Sequence, residues 1–311
     1  MSISDQKPPL ALIAGATASG KSALALALAT RTCGVIINAD SAQIYRDLPI
    51  LSAAPTESER ARAEHRLYGV RDGAEPCSAA DWADMARAAI AETHAAGRLP
   101  ILAGGTGLYL RTLVDGIAPV PPVDPDVRNE VRAASLEENR ARLEKADPEG
   151  AARLGSGDKA RTARALEVVL STGRSLADWQ SERSGGIAQD VNLLPLILLP
   201  PRPWLYARCD ARFGAMIVNG AIEEVQALLA RRLDPALPVM RAIGVREIAA
   251  FLAGETEHDE IIKRGSQATR NYAKRQYTWF AHQPPPEWPR FGAELDDSTI
   301  EQALALLRPS A

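Results

Sequence analysis

Cysteine and histidine are scarce in this chain. Its three cysteines, Cys33, Cys77 and Cys209, stand far apart with no C-x-x-C pair, which argues against a disulfide framework or a zinc ribbon. The four histidines, His65, His94, His258 and His282, are as scattered. No apolar run approaches the roughly 20 residues a membrane span needs. The longest candidate, residues 193–199, is interrupted by Pro195. Ahead of the first apolar run the N-terminus carries only Lys7, and a glycine-rich loop follows at once, so it reads as a buried strand and not as a signal peptide. These absences predict a reduced, cytoplasmic, globular protein with no membrane contact. With 46% hydrophobic and 24% charged residues, wholesale disorder is excluded. The 311 residues suggest about two domains.

A net charge of −3 excludes a generally basic nucleic-acid coat. Charge is nevertheless uneven. Residues 261–283 hold five Lys or Arg and no acid, a pattern that serves either as a nucleic-acid footprint or as a solvated helix face.

The first hundred residues alternate apolar strands (10–14, 34–39, 99–103) with helical patterns (21–31 and 78–96), which indicates β-α-β units and a parallel sheet. Ser78 and Asp81 form a capping box at the start of the second helix. Near Pro119 the texture becomes proline-rich, then charged and helical. Asp124-Pro125 starts one helix and Gly173 ends another, over 159–171. A Ser-Gly-Gly linker at 184–186 precedes a returning strand at 192–199. This organisation predicts an α/β catalytic core over 1–118 and 190–285, an inserted small all-helical domain over 119–189, and a peripheral tail over 286–311. The core should be a mainly parallel sheet flanked by helices. A last long helix should open on a Thr256–Asp259 capping box and end at the prolines 284–286. On it Lys263, Arg270 and Lys274 share one stripe, with Arg264 and Arg275 beside it.

The strongest local signal is Gly15-Ala16-Thr17-Ala18-Ser19-Gly20-Lys21-Ser22, a match to G-x-x-x-x-G-K-S/T between a predicted strand and a predicted helix. Its glycines let backbone N–H groups face a phosphate. The helix N-terminus and Lys21 add positive charge, and Ser22 can hold Mg²⁺. This predicts a P-loop NTPase-like core. Asp40 ends the second strand and Gly104-Gly105-Thr106-Gly107 the third, so both face the same crevice as the loop. Asp40 reads either as a chemical carboxylate or as a helix cap. Three classes fit these residues: a kinase or ATPase, a transferase holding a diphosphate leaving group, and a nucleotide-regulated RNA-binding module.

In order, the chain carries GATASGKS at 15–22, ADSAQIYRDLPI at 39–50, SAADW at 78–82 and GRLPILAGGTGLYLRTLVDG at 97–116. TARALEVVLSTGRSL at 162–176, RAIGVREI at 241–248 and ATRNYAKRQYTWF at 268–280 follow. Together they resemble the tRNA dimethylallyltransferase family from about residue 10 to about residue 283. The resemblance implies transfer of a dimethylallyl group from dimethylallyl diphosphate to N6 of adenine 37 in tRNAs reading codons that begin with U. It implies Mg²⁺ as cofactor, tRNA and dimethylallyl diphosphate as partners, and a monomer. Asp40 and Thr106 become the catalytic pair, with residues 15–22, Arg208 and Arg212 on the diphosphate. Asp40, Ser41, Ala42, Gln43 and Thr106 become contacts of the target adenosine. From the inserted domain, Arg128, Ala160, Arg161, Thr162, Ala163 and Arg164 become tRNA contacts. From the core come Arg241, Ala242, Ile243, Gly244, Val245 and Arg246, and then Lys274, Arg275, Gln276, Tyr277, Thr278, Trp279, Phe280 and Ala281. The rival within the resemblance is an adenylate isopentenyltransferase, which prenylates a free nucleotide. The basic last helix and the inserted block favour a macromolecular acceptor.

The chain departs from the family pattern in places. Ala16 stands for a usual proline, Leu51-Ser52-Ala53-Ala54 for Gly-Thr-Ala-Lys, Val245 for tyrosine and Glu247 for glutamine.

Overall fold

A computed structural model describes residues 7–307. The chain forms two compact units, one running up to Thr112 and resuming at Ala188, the other Leu113–Ile187. The first unit starts with β1 (Pro9–Gly15), α1 (Lys21–Thr32), β2 (Val35–Asn38), α2 (Glu57–Arg62), β3 (Glu64–Arg66), α3 (Ala79–Ala95), β4 (Pro100–Gly104) and α4 (Gly107–Asp115), the last crossing the boundary. The second unit is helical: α5 (Pro125–Ala133), α6 (Leu136–Ala146), α7 (Pro148–Arg153), α8 (Lys159–Thr172) and α9 (Leu176–Ser181). Val131, Leu143, Ala151 and Leu166 make its own small core. The first unit resumes with β5 (Asn192–Leu198), α10 (Arg202–Val218), α11 (Ala221–Ala230), α12 (Val245–Leu252), α13 (His258–His282), β6 (Arg290–Phe291) and α14 (Ile300–Ala305).

The six strands lie in the order β3-β2-β4-β1-β5-β6, and every pairing is parallel. A parallel sheet covered on both faces needs unbroken apolar strands. In β1, Leu10, Ala11, Leu12, Ile13 and Ala14 are accordingly all fully buried. Because β1 lies between β4 and β5, the loops leaving β1, β2 and β4 gather at one sheet edge, where α/β proteins hold their ligands.

Local signals set several helix ends. Ser78 and Asp81 cap α3 reciprocally, at 3.1 and 2.9 Å. Asp124 caps α5 ahead of Pro125, and Gly173 ends α8 with φ +68°. The Thr256–Asp259 box does not form. Helix α13 starts at His258 with Glu257 as its N-cap, so Asp259 stands one position too early to close the box.

The tail expected at the periphery is structural. Phe291 extends the sheet, and Leu295, Ala303, Leu304 and Leu307 share one apolar cluster with Leu24, Ile36 and Leu196. The short strands β3 and β6 have too few residues to show a period in the sequence.

Candidate active site

The loop after β1 is wound tightly. Gly20 has φ +95°, a conformation side chains rarely adopt, and Ser19 N–H donates to Ala16 O at 3.2 Å. Lys21 opens α1 and turns back so that Nζ donates to Ala16 O at 3.3 Å. Burial pushes its ammonium down to about 8, with the Asp40 carboxylate opposing the shift and Arg212 adding to it. Ser19 Oγ is buried with no hydrogen-bond partner. A bound anion would meet that hydroxyl, the loop amides and the α1 N-terminus together.

Asp40 follows β2. Its N–H donates to Asn38 Oδ1 at 2.8 Å, and its Oδ1 accepts the Ala42 N–H at 3.0 Å. Thr106 fixes this turn from the β4 side. Its Oγ1 accepts the Ser41 N–H at 2.9 Å and donates to Ser41 Oγ at 3.2 Å, while its own N–H donates to Ala39 O at 3.2 Å. The close approach requires Gly104, where a Cβ would lie 2.1 Å from the Ala39 carbonyl.

Helix α10 sends two arginines to the glycine loop. Arg208 Nε donates to Ala18 O at 3.0 Å while its guanidinium lies 4.6 Å over the Trp204 ring. One turn on, Arg212 Nη1 donates to Thr17 Oγ1 at 3.3 Å. Burial, then the neighbouring Arg208 charge, lowers the Arg212 pKa from its ordinary value. Lys21, Arg208 and Arg212 therefore leave an excess of positive charge that an anion would neutralise.

A cavity of about 320 Å³ opens beside these groups. Thr17, Asp40, Arg212, Tyr272 and Arg275 line it with polar groups, and Leu48, Leu51, Phe213, Met216 and Val239 with apolar ones. Sequence reasoning missed this apolar wall, because its residues are dispersed over three segments. It also missed Tyr272, although the spacing Thr269–Tyr272–Arg275 was a readable sign of one helix face.

Several expected tRNA-contacting side chains are placed elsewhere. Gln276 and Phe280 are 6% and 1% exposed, so neither presents its side chain at the surface. Gln276 instead bridges two loops: its Oε1 accepts the Thr17 N–H and its Nε2 donates to Gly105 O, each at 2.8 Å. Tyr277 donates to Leu199 O at 3.4 Å, and Trp279 packs against Gly107. Along this stretch Lys274, Arg275 and Thr278 are exposed. Val245, which replaces the usual tyrosine, is buried along with Gly244, and Glu247 accepts the Gly244 N–H at 3.1 Å. Arg241 and Arg246 are exposed. Ala242 and Ile243 border the cavity. Gln43 is engaged through Nε2 with Ser52 O and Ala53 O, at 3.0 and 2.7 Å.

Within the second unit, Ala160, Arg161 and Arg164 are exposed and Arg128 is half-buried. Thr162 is fully buried and its hydroxyl has no partner, so it faces the helical core and not solvent. Arg164 lies 3.8 Å from the buried Glu167, which Arg132 also pairs at 3.0 Å.

No group of His, Cys, Asp and Glu able to hold a metal occurs among the described residues. Mg²⁺ asks for few protein ligands when phosphate oxygens supply the rest, and the exposed Ser22 at the head of α1 suits that arrangement.

A parallel sheet whose first strand runs into a phosphate loop, with lysine and two arginines at that loop and a carboxylate beside it, defines a P-loop-like α/β protein. Comparison narrows the class. The family model described as IPP transferase matches residues 43–283, and the chain belongs to that family. The chain is 61% identical to a tRNA dimethylallyltransferase of Erythrobacter litoralis, over 96% of this chain and 95% of that protein. It is 59% identical to the one of Sphingopyxis alaskensis, over 96% and 98%. Among solved structures it is similar to a full-length tRNA isopentenylpyrophosphate transferase from Bacillus halodurans, with TM-score 0.68 and 32% identity over 95% of this chain and 94% of that one. A eukaryotic dimethylallyltransferase acting on tRNA superposes with TM-score 0.76 at 28% identity, over 88% of this chain and 69% of that one.

Proposed function

We propose that this protein transfers the dimethylallyl group of dimethylallyl diphosphate to N6 of adenine 37 in tRNAs reading codons that begin with U. The observation that carries the reading is the meeting of a cationic phosphate loop, the Asp40 carboxylate and an apolar wall in one cavity. The family and the names of its relatives support the choice of donor and acceptor.

In this reading residues 15–22 bind the diphosphate with their amides, and Lys21, Arg208 and Arg212 neutralise it. The dimethylallyl carbons lie against residues such as Leu48, Leu51 and Met216. An exocyclic adenine amine is a weak nucleophile because its lone pair is shared with the ring. Asp40 takes its proton as the N6–carbon bond forms and the carbon–oxygen bond to diphosphate breaks. Thr106 keeps the Asp40–Ser41 turn in place. The negative charge gathering on the leaving group meets fixed positive groups, which stabilise it without reorganisation. Ser22 would hold Mg²⁺ beside the leaving group, where the ion would add charge neutralisation.

On the first unit, the tRNA-contacting residues in this reading are the exposed Lys274, Arg275, Arg241 and Arg246. On the second unit, taken by itself, they are the exposed Arg161 and Arg164 and the half-buried Arg128. We place the protein in the cytoplasm, acting as a monomer.

The test is mass spectrometry of tRNA incubated with protein, dimethylallyl diphosphate and Mg²⁺. The expected product gains one dimethylallyl group on adenine 37. Prenylation of free AMP with untouched tRNA would reverse the choice of acceptor. Rapid phosphate release from ATP would return the protein to the kinase or ATPase class.

A further inference from the structure

An adenine inside an anticodon loop is stacked, so chemistry at its N6 needs the base drawn out and its lost stacking replaced by an aromatic or guanidinium plane. Four aromatic side chains border the cavity: Tyr45, Tyr109, Phe213 and Tyr272. Three are already committed. Tyr45 is 4% exposed and its hydroxyl accepts the Cys77 N–H at 3.1 Å. Tyr109 is 4% exposed, with its ring stacked on Trp82 at 4.7 Å and 15°. Phe213 is 2% exposed and pressed against Gly265, where a Cβ would fall 2.0 Å from its ring.

Tyr272 differs. It is only partly buried, and with Thr269 and Arg275 it brings one face of α13 into the cavity that also holds Asp40. The Arg275 guanidinium lies 5.7 Å over its ring and borders the same cavity. Tyr272 borders the same cavity as Asp40 and Ser41, whose turn Thr106 fixes. Burial, with the Asp40 charge adding to it, raises the phenol pKa, so the ring stays neutral beside a carboxylate.

Resting on the proposed tRNA reaction, we propose that the Tyr272 ring is the plane on which the extruded adenine stacks so that its N6 faces Asp40.

The probe is an anticodon stem-loop RNA with 2-aminopurine at position 37, whose fluorescence rises on unstacking and falls on restacking. It is paired with single-turnover prenylation of the unmodified stem-loop. The variants are Tyr272→Phe, which keeps the ring, and Tyr272→Leu, which removes it while filling the space. With wild-type protein a fluorescence change on binding is expected, and its absence would count against base extrusion and so against the proposed reaction itself. Given that change, Tyr272→Phe should stay within about threefold of the wild-type rate. Tyr272→Leu should lose at least about tenfold, the usual scale of one base–aromatic stack, and leave the probe brighter. Affinity for dimethylallyl diphosphate should be the same in all three proteins. A Tyr272→Leu protein with wild-type rate and fluorescence overturns the stacking role. A Tyr272→Phe protein as slow as Tyr272→Leu overturns it too, since the hydroxyl and not the ring would then matter.

Discussion

Gln276 holds Thr17: its side-chain carbonyl accepts the Thr17 N–H at 2.8 Å, from a helix 259 residues further along the chain. The other end of the same amide donates to Gly105 O at 2.8 Å. One buried side chain thus joins the phosphate loop after β1 to the loop after β4 that carries Thr106. Gln276→Ala leaves a backbone donor and a backbone acceptor unpaired, at about 1–3 kcal/mol each. We expect a loss of about 2–4 kcal/mol in urea unfolding. A loss below about 1 kcal/mol would mean that water or a rearranged loop satisfies both groups.

A second clamp acts on the apolar wall. Glu224 of α11 accepts the N–H groups of Ile50 and Leu51 at 2.7 and 2.9 Å, and Leu48 and Leu51 border the cavity. From the other end of that helix, Arg231 pairs with Asp47 and with Asp72, the latter at 2.5 Å. The wall is therefore pinned at both ends of a short segment. Glu224→Ala should raise KM for dimethylallyl diphosphate about tenfold with kcat little changed, because the wall holds the donor and not the reacting atoms. Glu224→Gln keeps one acceptor oxygen and should fall between. Steady-state kinetics with donor varied at saturating tRNA reads this, and an unchanged KM in Glu224→Ala would exclude the clamp.

How legible this was in the sequence depends on whether the signal is local. The loop at 15–22, the Asp40 turn and the Thr106 turn are short, contiguous and tied to strand ends, so parallel-sheet logic alone places them together. Their partners are another matter. Nothing local separates Gln276, a buried bridge, from Lys274 and Arg275, its exposed neighbours on α13. Only the packing of α13 against the sheet decides which of its faces is inside. The same holds for Val245 and Thr162, which lie in motifs read as tRNA contacts yet turn inward. Val245 fills a packed position in this chain.

Lys21 gives the site a pH dependence. Burial lowers its free-protein pKa to about 8. A diphosphate needs the charged ammonium, and above pH 7 the ligand is itself fully ionised, its last phosphate pKa lying near about 6. Below about pH 8 the proton is already in place. Above it, binding must take up a proton, so donor affinity should fall by up to about tenfold per pH unit. Calorimetric titration with dimethylallyl diphosphate between about pH 7 and pH 9.5 checks this, with Lys21→Met expected to bind weakly and without that slope. A flat wild-type profile would place the Lys21 pKa well above the range.

Asp40 poses the choice between base and cap, and its geometry supplies both tasks. Its Oδ1 accepts the Ala42 N–H at 3.0 Å, and the carboxylate borders the cavity. Asparagine is nearly isosteric and keeps that acceptor, so Asp40→Asn should fold and melt almost as the parent does. The loop and Lys21 are untouched, and binding of dimethylallyl diphosphate should survive. Affinity for tRNA should weaken modestly at most, one hydrogen bond contributing about 1 kcal/mol net. The chemical step is where the two roles part. A general base contributes about two to four orders of magnitude, and an amide cannot take the N6 proton. Single-turnover rates isolate that step from product release, which a steady-state rate can hide. A near-normal single-turnover rate in Asp40→Asn would leave Asp40 as the residue that shapes the turn, and the departing diphosphate or a water would then have to receive the proton.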